Sequence, residues 1–91
     1  MATIRIKRDH QLDHATVKQQ VQELADKLSE ELSVDYSWEK DRLVFKRSGA
    51  NGFINIGKND VEVEIKLNLL LSPMKGTIEK TVTSYLDERL S

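Results

Sequence analysis

The chain has 91 residues and no cysteine, and its 14 basic and 15 acidic side chains leave a formal net charge of −1 at pH 7. A chain of this length is expected to form one domain, residues 1–91, that buries about 60–65% of its unfolded surface. The missing cysteines exclude disulfides and thiolate chemistry, the balanced charge argues against nucleic-acid binding, and no apolar run approaches the roughly 20 residues of a membrane span.

The first predicted element is a strand over residues 3–8, because isoleucines alternate with basic side chains there. Ile4 and Ile6 point to one face, and Arg5 and Lys7 point to the other. This start also lacks the apolar stretch of a secretory signal peptide. We therefore expect a cytoplasmic protein.

An amphipathic helix follows, with Asp13 as its N-cap. Its apolar residues recur at steps of three and four, as one buried stripe requires: Val17, Val21, Leu24, Ala25, Leu28 and Leu32. The other side predicts a face turned to water: Lys18, Gln22, Asp26, Lys27, Glu30 and Glu31.

Three two-residue turns predict a four-stranded antiparallel meander, at Lys40-Asp41, Asn51-Gly52 and Lys58-Asn59. They pair Tyr36 with Phe45, Arg47 with Ile56, and Ile54 with Val63. The three registers agree in phase, so one face should collect the apolar side chains: Val34, Tyr36, Trp38, Leu43, Phe45, Ile54, Ile56, Val61, Val63, Ile65 and Leu67. The other face is predicted to be polar, with Val44 and Phe53 as exceptions.

The last strand is predicted to pass directly into a second helix. The alternation of residues 61–67 ends in the apolar run 69–71, after which Ser72 can cap a helix that has Pro73 in its first turn. The helix carries apolar residues at helical spacing: Met74, Ile78, Val82, Tyr85, Leu86 and Leu90. Gly76 suggests a close approach of this helix to the sheet.

These elements predict an α+β fold of order β-α-β-β-β-β-α, with an antiparallel sheet and both helices on one of its faces. The first strand is placed at the sheet edge beside the strand of residues 61–67. The layout resembles a reduced helix-grip arrangement.

Chemically active residues are sparse. Asp9, His10, Asp13 and His14 form the one cluster that resembles a metal site, but Asp13 begins the helix and leaves His10 outside it, and no further ligand is evident nearby. We interpret the cluster as structural or solvated and predict no metal or cofactor. No nucleophile lies in a recognisable catalytic motif, so we predict a protein without enzymatic activity and without catalytic residues.

Three residues are candidates for ligand binding. Arg47 shares the predicted face of Phe45, where it either extends past the helix ends to solvent or a helix carboxylate, or anchors an anionic head group. Tyr36 and Trp38 are explained either as core aromatics or as the apolar walls of that cleft. Val44 and Phe53 are candidates for a partner surface or a homodimer contact, although scattered surface apolar residues are also common.

Four segments together resemble the putative polyhydroxyalkanoic acid system family of small bacterial proteins. They are I-R-I-K-R-D-H-Q-L at residues 4–12, V-x-x-L-A-x-x-L at 21–28, W-x-x-D-x-L-x-F-x-R-S-G-A-N-G at 38–52 and L-N-L-L-L-S-P-M-K-G-T-I-E-K at 67–80. The resemblance implies a role near the synthesis or regulation of polyhydroxyalkanoate granules, and it carries over no catalytic residues.

Two functions are therefore expected. The first is an accessory protein that contacts a granule protein or the polyester surface. The alternative is a carrier of small hydrophobic or acyl ligands, with a cleft lined by Tyr36, Trp38, Arg47 and the helix of residues 74–85.

Overall fold

The computed structural model describes residues 2–90, which form a five-stranded antiparallel sheet covered on one face by two helices. In chain order the elements are β1 (Ala2–Asp9), α1 (His14–Leu32), β2 (Asp35–Glu39), β3 (Arg42–Arg47), β4 (Ala50–Ile56), β5 (Asp60–Leu67), a short 3₁₀ helix (Ser72–Met74) and α2 (Lys75–Arg89). The predicted α+β fold and the predicted order of strands and helices are confirmed.

The strands lie in the order β1-β5-β4-β3-β2. β1 pairs with β5 along its whole length, with Ile4 opposite Ile65 and Ile6 opposite Val63. The predicted edge position of β1 is therefore confirmed, and β2 forms the opposite edge.

Two of the three predicted hairpins are confirmed in register. Tyr36 lies opposite Phe45 across β2 and β3, and Ile54 lies opposite Val63 across β4 and β5. The middle hairpin was predicted wrongly: its turn is Ser48-Gly49, and Arg47 pairs with Ala50 instead of Ile56.

Glycine geometry explains this difference. Gly49 has a φ of +91°, which side-chain-bearing residues rarely adopt, so it suits the turn. Gly52 lies inside β4, where an added Cβ would stand 2.1 Å from the backbone oxygen of Glu64. Gly52 is therefore needed for close strand packing. The observed turn lies three residues before the predicted one, so the sum of paired residue numbers differs from the predicted sum by an even number. Every side chain therefore lies on its predicted face.

The core lies between this face and the two helices. α1 covers β4 and β2, α2 covers β1, and the helices also contact each other. All six predicted apolar residues of α1 are buried, and so are the predicted inward residues of β3, β4 and β5. On β2, Tyr36 and Trp38 are half-buried and pack against the core. Neither helix of residues 2–90 is long and apolar enough to cross a membrane.

The connection from β5 to α2 differs from the prediction. A turn over residues 68–71 and the 3₁₀ helix separate the two elements. The Ser72 hydroxyl caps no helix, because it donates to the Asn68 backbone oxygen at 2.8 Å. Gly76 is exposed, and a Cβ added there would meet nothing within 4 Å. The predicted close approach at Gly76 is therefore wrong.

The contrast between the two glycines gives a matched test. Gly52→Ala should lower the free energy of unfolding by about 1–3 kcal/mol, because the methyl group overlaps backbone atoms of β5. Gly76→Ala should raise it by about 0.5–1 kcal/mol, because it adds helix propensity without steric conflict. Urea unfolding of both variants measures these changes, and equal effects of the two substitutions would contradict the β4 assignment.

Candidate functional site

Tyr36 and Trp38 contact the first helix. Trp38 Nε1 donates to Gln22 Oε1 at 2.7 Å, and Gln22 Nε2 donates to the Tyr36 hydroxyl at 2.6 Å. The Tyr36 hydroxyl in turn donates to Asp26 Oδ1, and Lys18 Nζ lies 4.9 Å from the centre of the Trp38 ring. We name these five residues the polar seam.

The polar seam corrects part of one prediction. Lys18 and Gln22 were expected to face water, but they are half-buried against the aromatic residues of β2. Asp26 is exposed as predicted, and it also accepts a hydrogen bond from Tyr36. Positions 18, 22 and 26 lie on one side of α1 because they are four residues apart. The seam satisfies the polar atoms of Tyr36 and Trp38 and joins the edge strand to α1.

Arg47 lies at a different place on α1. Its Nη1 donates to the backbone oxygen of Leu32, the last residue of the helix, and its side chain remains largely exposed. A cation at this position stabilises free carbonyls and the negative end of the helix dipole. Arg47 therefore has a structural partner on the helix, but this partner is a backbone carbonyl and not the predicted carboxylate.

The three candidate ligand residues are not gathered into one cleft. Arg47 meets α1 at Leu32, which is ten residues beyond the Gln22 contact of Trp38, or about 15 Å along the helix. α2 lies on the same face of the sheet but over β1, at the edge opposite β2. The structure therefore does not bring Tyr36, Trp38 and Arg47 together with α2 around the one predicted cleft.

The interior beneath α1 is filled. A void of about 10 Å³ lies among core side chains there: Leu28, Leu32, Val34, Phe45, Ala50 and Ile65. Ligand sites usually enclose a few hundred Å³ or more. This void gives no room for an acyl chain.

The two histidines point to separate partners. His10 is 5% exposed, and its Nδ1 accepts from the Leu12 backbone nitrogen at 3.2 Å. His14 Nε2 lies 2.9 Å from Asp41 Oδ1 on the β2–β3 turn. Within residues 2–90 no three histidine, aspartate or glutamate side chains converge as a metal site would require.

The face of the sheet opposite the helices is not covered by any element of residues 2–90. Val44 and Phe53 lie opposite each other near its centre, and the Arg42 guanidinium lies 4.4 Å from the centre of the Phe53 ring. Charged side chains surround the pair, including Arg5, which bonds Glu64 at 2.9 Å. We name this surface the outer face.

A pair of exposed leucines was missed by the sequence reasoning. Leu69 and Leu70 are 79% and 81% exposed, whereas Leu71 is 8% exposed. The sequence signal was the run of three leucines before Ser-Pro, which we interpreted as leading into a helix. A turn of this length cannot direct three successive side chains to one core.

Tyr85 joins the two helices, because its hydroxyl donates to Glu23 Oε2 at 3.0 Å. Burial, together with the hydrogen bond to Glu23, raises the pKa of Tyr85 from 10.0 to about 12. Since the folded pKa lies above the unfolded value, this stabilisation is complete below pH 10 and is lost as the pH rises through about 12.

We therefore expect the wild-type free energy of unfolding to fall between pH 10 and 12 more steeply than that of Tyr85→Phe. The hydrogen bond to Asp26 also raises the pKa of Tyr36. The chain has two tyrosines, so in Tyr36→Phe the tyrosinate absorbance comes from Tyr85 alone. Ionisation of Tyr85 near pH 10 in that variant, followed by tyrosinate absorbance, would contradict the described environment.

Comparison with known proteins identifies a family. Residues 4–90 match the model of the family described as putative polyhydroxyalkanoic acid system protein. No match was found among the curated proteins or among the solved structures. Because the family match spans nearly the whole chain and agrees with the resemblance of its four segments, this chain belongs to the putative polyhydroxyalkanoic acid system protein family.

Proposed function

We propose that this chain is a non-enzymatic, cytoplasmic accessory protein of polyhydroxyalkanoate storage metabolism that binds a granule component through its surface. Family membership supports the metabolic setting. The close packing beneath α1 supports the mode of action, because it leaves no room for a ligand between this helix and the sheet. The alternative, a hydrophobic-ligand carrier, gains no support from a void of about 10 Å³.

The hydrogen bonds of the two tyrosines support a structural role for the carboxylates that accept them. Asp26 and Glu23 accept hydrogen bonds from Tyr36 and Tyr85, and these bonds join α1 to β2 and to α2. Carboxylates engaged in this way hold elements together. We accordingly assign no catalytic residue.

We further propose that the outer face joins two copies of the chain. The outward side chains differ in charge from strand to strand. The net positive strands are β1, with Arg5, Lys7 and Asp9, and β3, with Arg42 and Lys46. The net negative strands are β5, with Asp60, Glu62, Glu64 and Lys66, and β2, with Asp35 and Glu39, whereas β4 is uncharged, with Asn51, Phe53 and Asn55. A two-fold axis along β4 would set β1 against β2 and β3 against β5. Beside two facing Phe53 rings, Arg42 would then face Glu62 of the second copy and Lys7 would face Glu39, whereas Lys46 would face Lys66 at the other end of the strands.

The function is tested in a polyester-accumulating host that carries a tagged copy of the protein. We expect the protein to sediment with isolated granules, and deletion of its gene to change granule number or size. An unrelated soluble protein with the same tag is the control for carry-over. A protein found only in the soluble fraction, together with unchanged granules after deletion, would contradict the proposed function.

The dimer has its own test by sedimentation velocity over a wide concentration range. Val44→Ser combined with Phe53→Ser should make the protein monomeric and leave it folded, because both side chains lie outside the core. Arg42→Glu should weaken association, and adding Glu62→Arg should restore it, since these positions face each other across the proposed axis. Glu30→Arg on α1 is the matched charge control. A wild-type monomer at all concentrations would overturn the dimer proposal.

A further inference from the structure

We infer that the turn of residues 68–71 is an anchor whose Leu69 and Leu70 side chains enter the apolar surface of the storage polyester. This inference rests on the proposed function and names the contact site for it. The turn is defined as the polyester anchor.

The exposure of these leucines is exceptional within residues 2–90. Leu69 and Leu70 are 79% and 81% exposed, and the next most exposed large apolar side chain, Leu12, is 36% exposed. Twenty-three apolar residues of the same chain lie in the core at 8% exposure or less. Two adjacent leucines left in water are therefore out of keeping with the rest of the fold, and contact with an apolar surface would remove them from water.

The turn is held in place, so the exposure is a property of a defined shape. The Asn68 backbone nitrogen donates to Gly49 oxygen at 2.9 Å, which ties the turn to the β3–β4 hairpin. Asn68 Oδ1 accepts from the Leu71 nitrogen at 3.1 Å, and the Asn68 backbone oxygen accepts from the Ser72 nitrogen at 2.9 Å. Leu71 is buried beneath the turn. Insertion therefore needs little further ordering of the backbone.

The surrounding charge favours an extended surface that offers acceptor oxygens. Residues 67–78 contain the exposed Lys75 and no acidic residue. Lysine stems can lie along an apolar surface while their ammonium groups reach polar atoms. A polyester presents aliphatic groups for the leucines and ester carbonyls for the ammonium group. A pair of leucines also lacks the aromatic and arginine anchors typical of protein interfaces.

The proposed dimer would place two anchors side by side. An axis along β4 runs parallel to the strands, so both 68–71 turns would emerge at the same end of the assembly. Two weak contacts on one rigid body bind a surface much more tightly than one contact does. The outer face and the polyester anchor are thus compatible in one particle.

The test measures binding of the purified chain to protein-free particles of amorphous poly(3-hydroxybutyrate) by co-sedimentation. Leu69→Ser combined with Leu70→Ser should weaken binding about tenfold or more, because it removes two aliphatic side chains from the contact. Leu12→Ser is the matched control at an exposed leucine away from the turn, and it should bind as the wild type does. Thermal melts verify that each variant is folded.

A second readout uses the absence of cysteine from the chain. An environment-sensitive dye on Leu70→Cys should shift to shorter emission wavelength on the polyester particles, and the same dye on Leu12→Cys should not. Phosphatidylglycerol and phosphatidylcholine vesicles form the comparison arms. Preferential binding to either vesicle would overturn the assignment to polyester.

Equal polyester binding by wild type and the double serine variant would overturn the anchor, and so would failure of the wild type to bind the particles. Neither result decides the proposed function. If the wild type still sediments with granules from cells, another granule component is bound and the proposed function stands. If it does not, and deletion of the gene leaves the granules unchanged, both proposals fail.

Discussion

The structure depends on one constraint, which is that all five strands direct their apolar side chains, apart from Val44 and Phe53, to the same face. Adjacent side chains of a strand alternate between faces, so a shift of one residue in any hairpin would expose half of the core. The ladder of β1, β5, β4 and β3 meets this requirement through Ile6, Val63, Ile54 and Leu43, which are buried at 0–7% exposure. α1 and α2 can then cover one continuous apolar layer, and the opposite face remains available for contacts.

The sequence predicted the phase of the strands better than it predicted their turns. Alternation is a property of many residues, so the face of Phe45 or Val63 survived the misplacement of the middle turn. The turn itself depended on which glycine was needed for positive φ and which for close strand packing, and Gly49 and Gly52 cannot be told apart without the neighbouring strand. For the same reason the roles of Gln22 and Asp26 were missed: their aromatic partners lie on a strand ten or more residues away.

For the candidate site residues too, local or periodic roles were predicted better than roles that depend on distant segments. Residues whose role is local or periodic, such as Asp13 at the start of α1, were predicted correctly. Arg47 was placed on the correct face, but its carbonyl partner depends on where α1 ends. Leu69 and Leu70 were missed because an apolar run does not indicate whether it continues a strand, starts a helix or forms a turn. The function proposed here therefore depends on surface features of the fold and on family membership, and not on a catalytic or cavity motif.

The central claim is that the helices pack against the inner face of the sheet without a ligand cavity and leave contacts to the outside. A methyl-resolved NMR spectrum, recorded with and without hydroxyacyl and fatty-acyl ligands, tests it most directly. The account predicts nuclear Overhauser effects from Ile54 methyl groups to the leucines of α1, none from Val44 to either helix, and no shift of the Ile54 signal on adding ligand. Helix contacts from Val44, or a ligand-induced shift at Ile54, would contradict it.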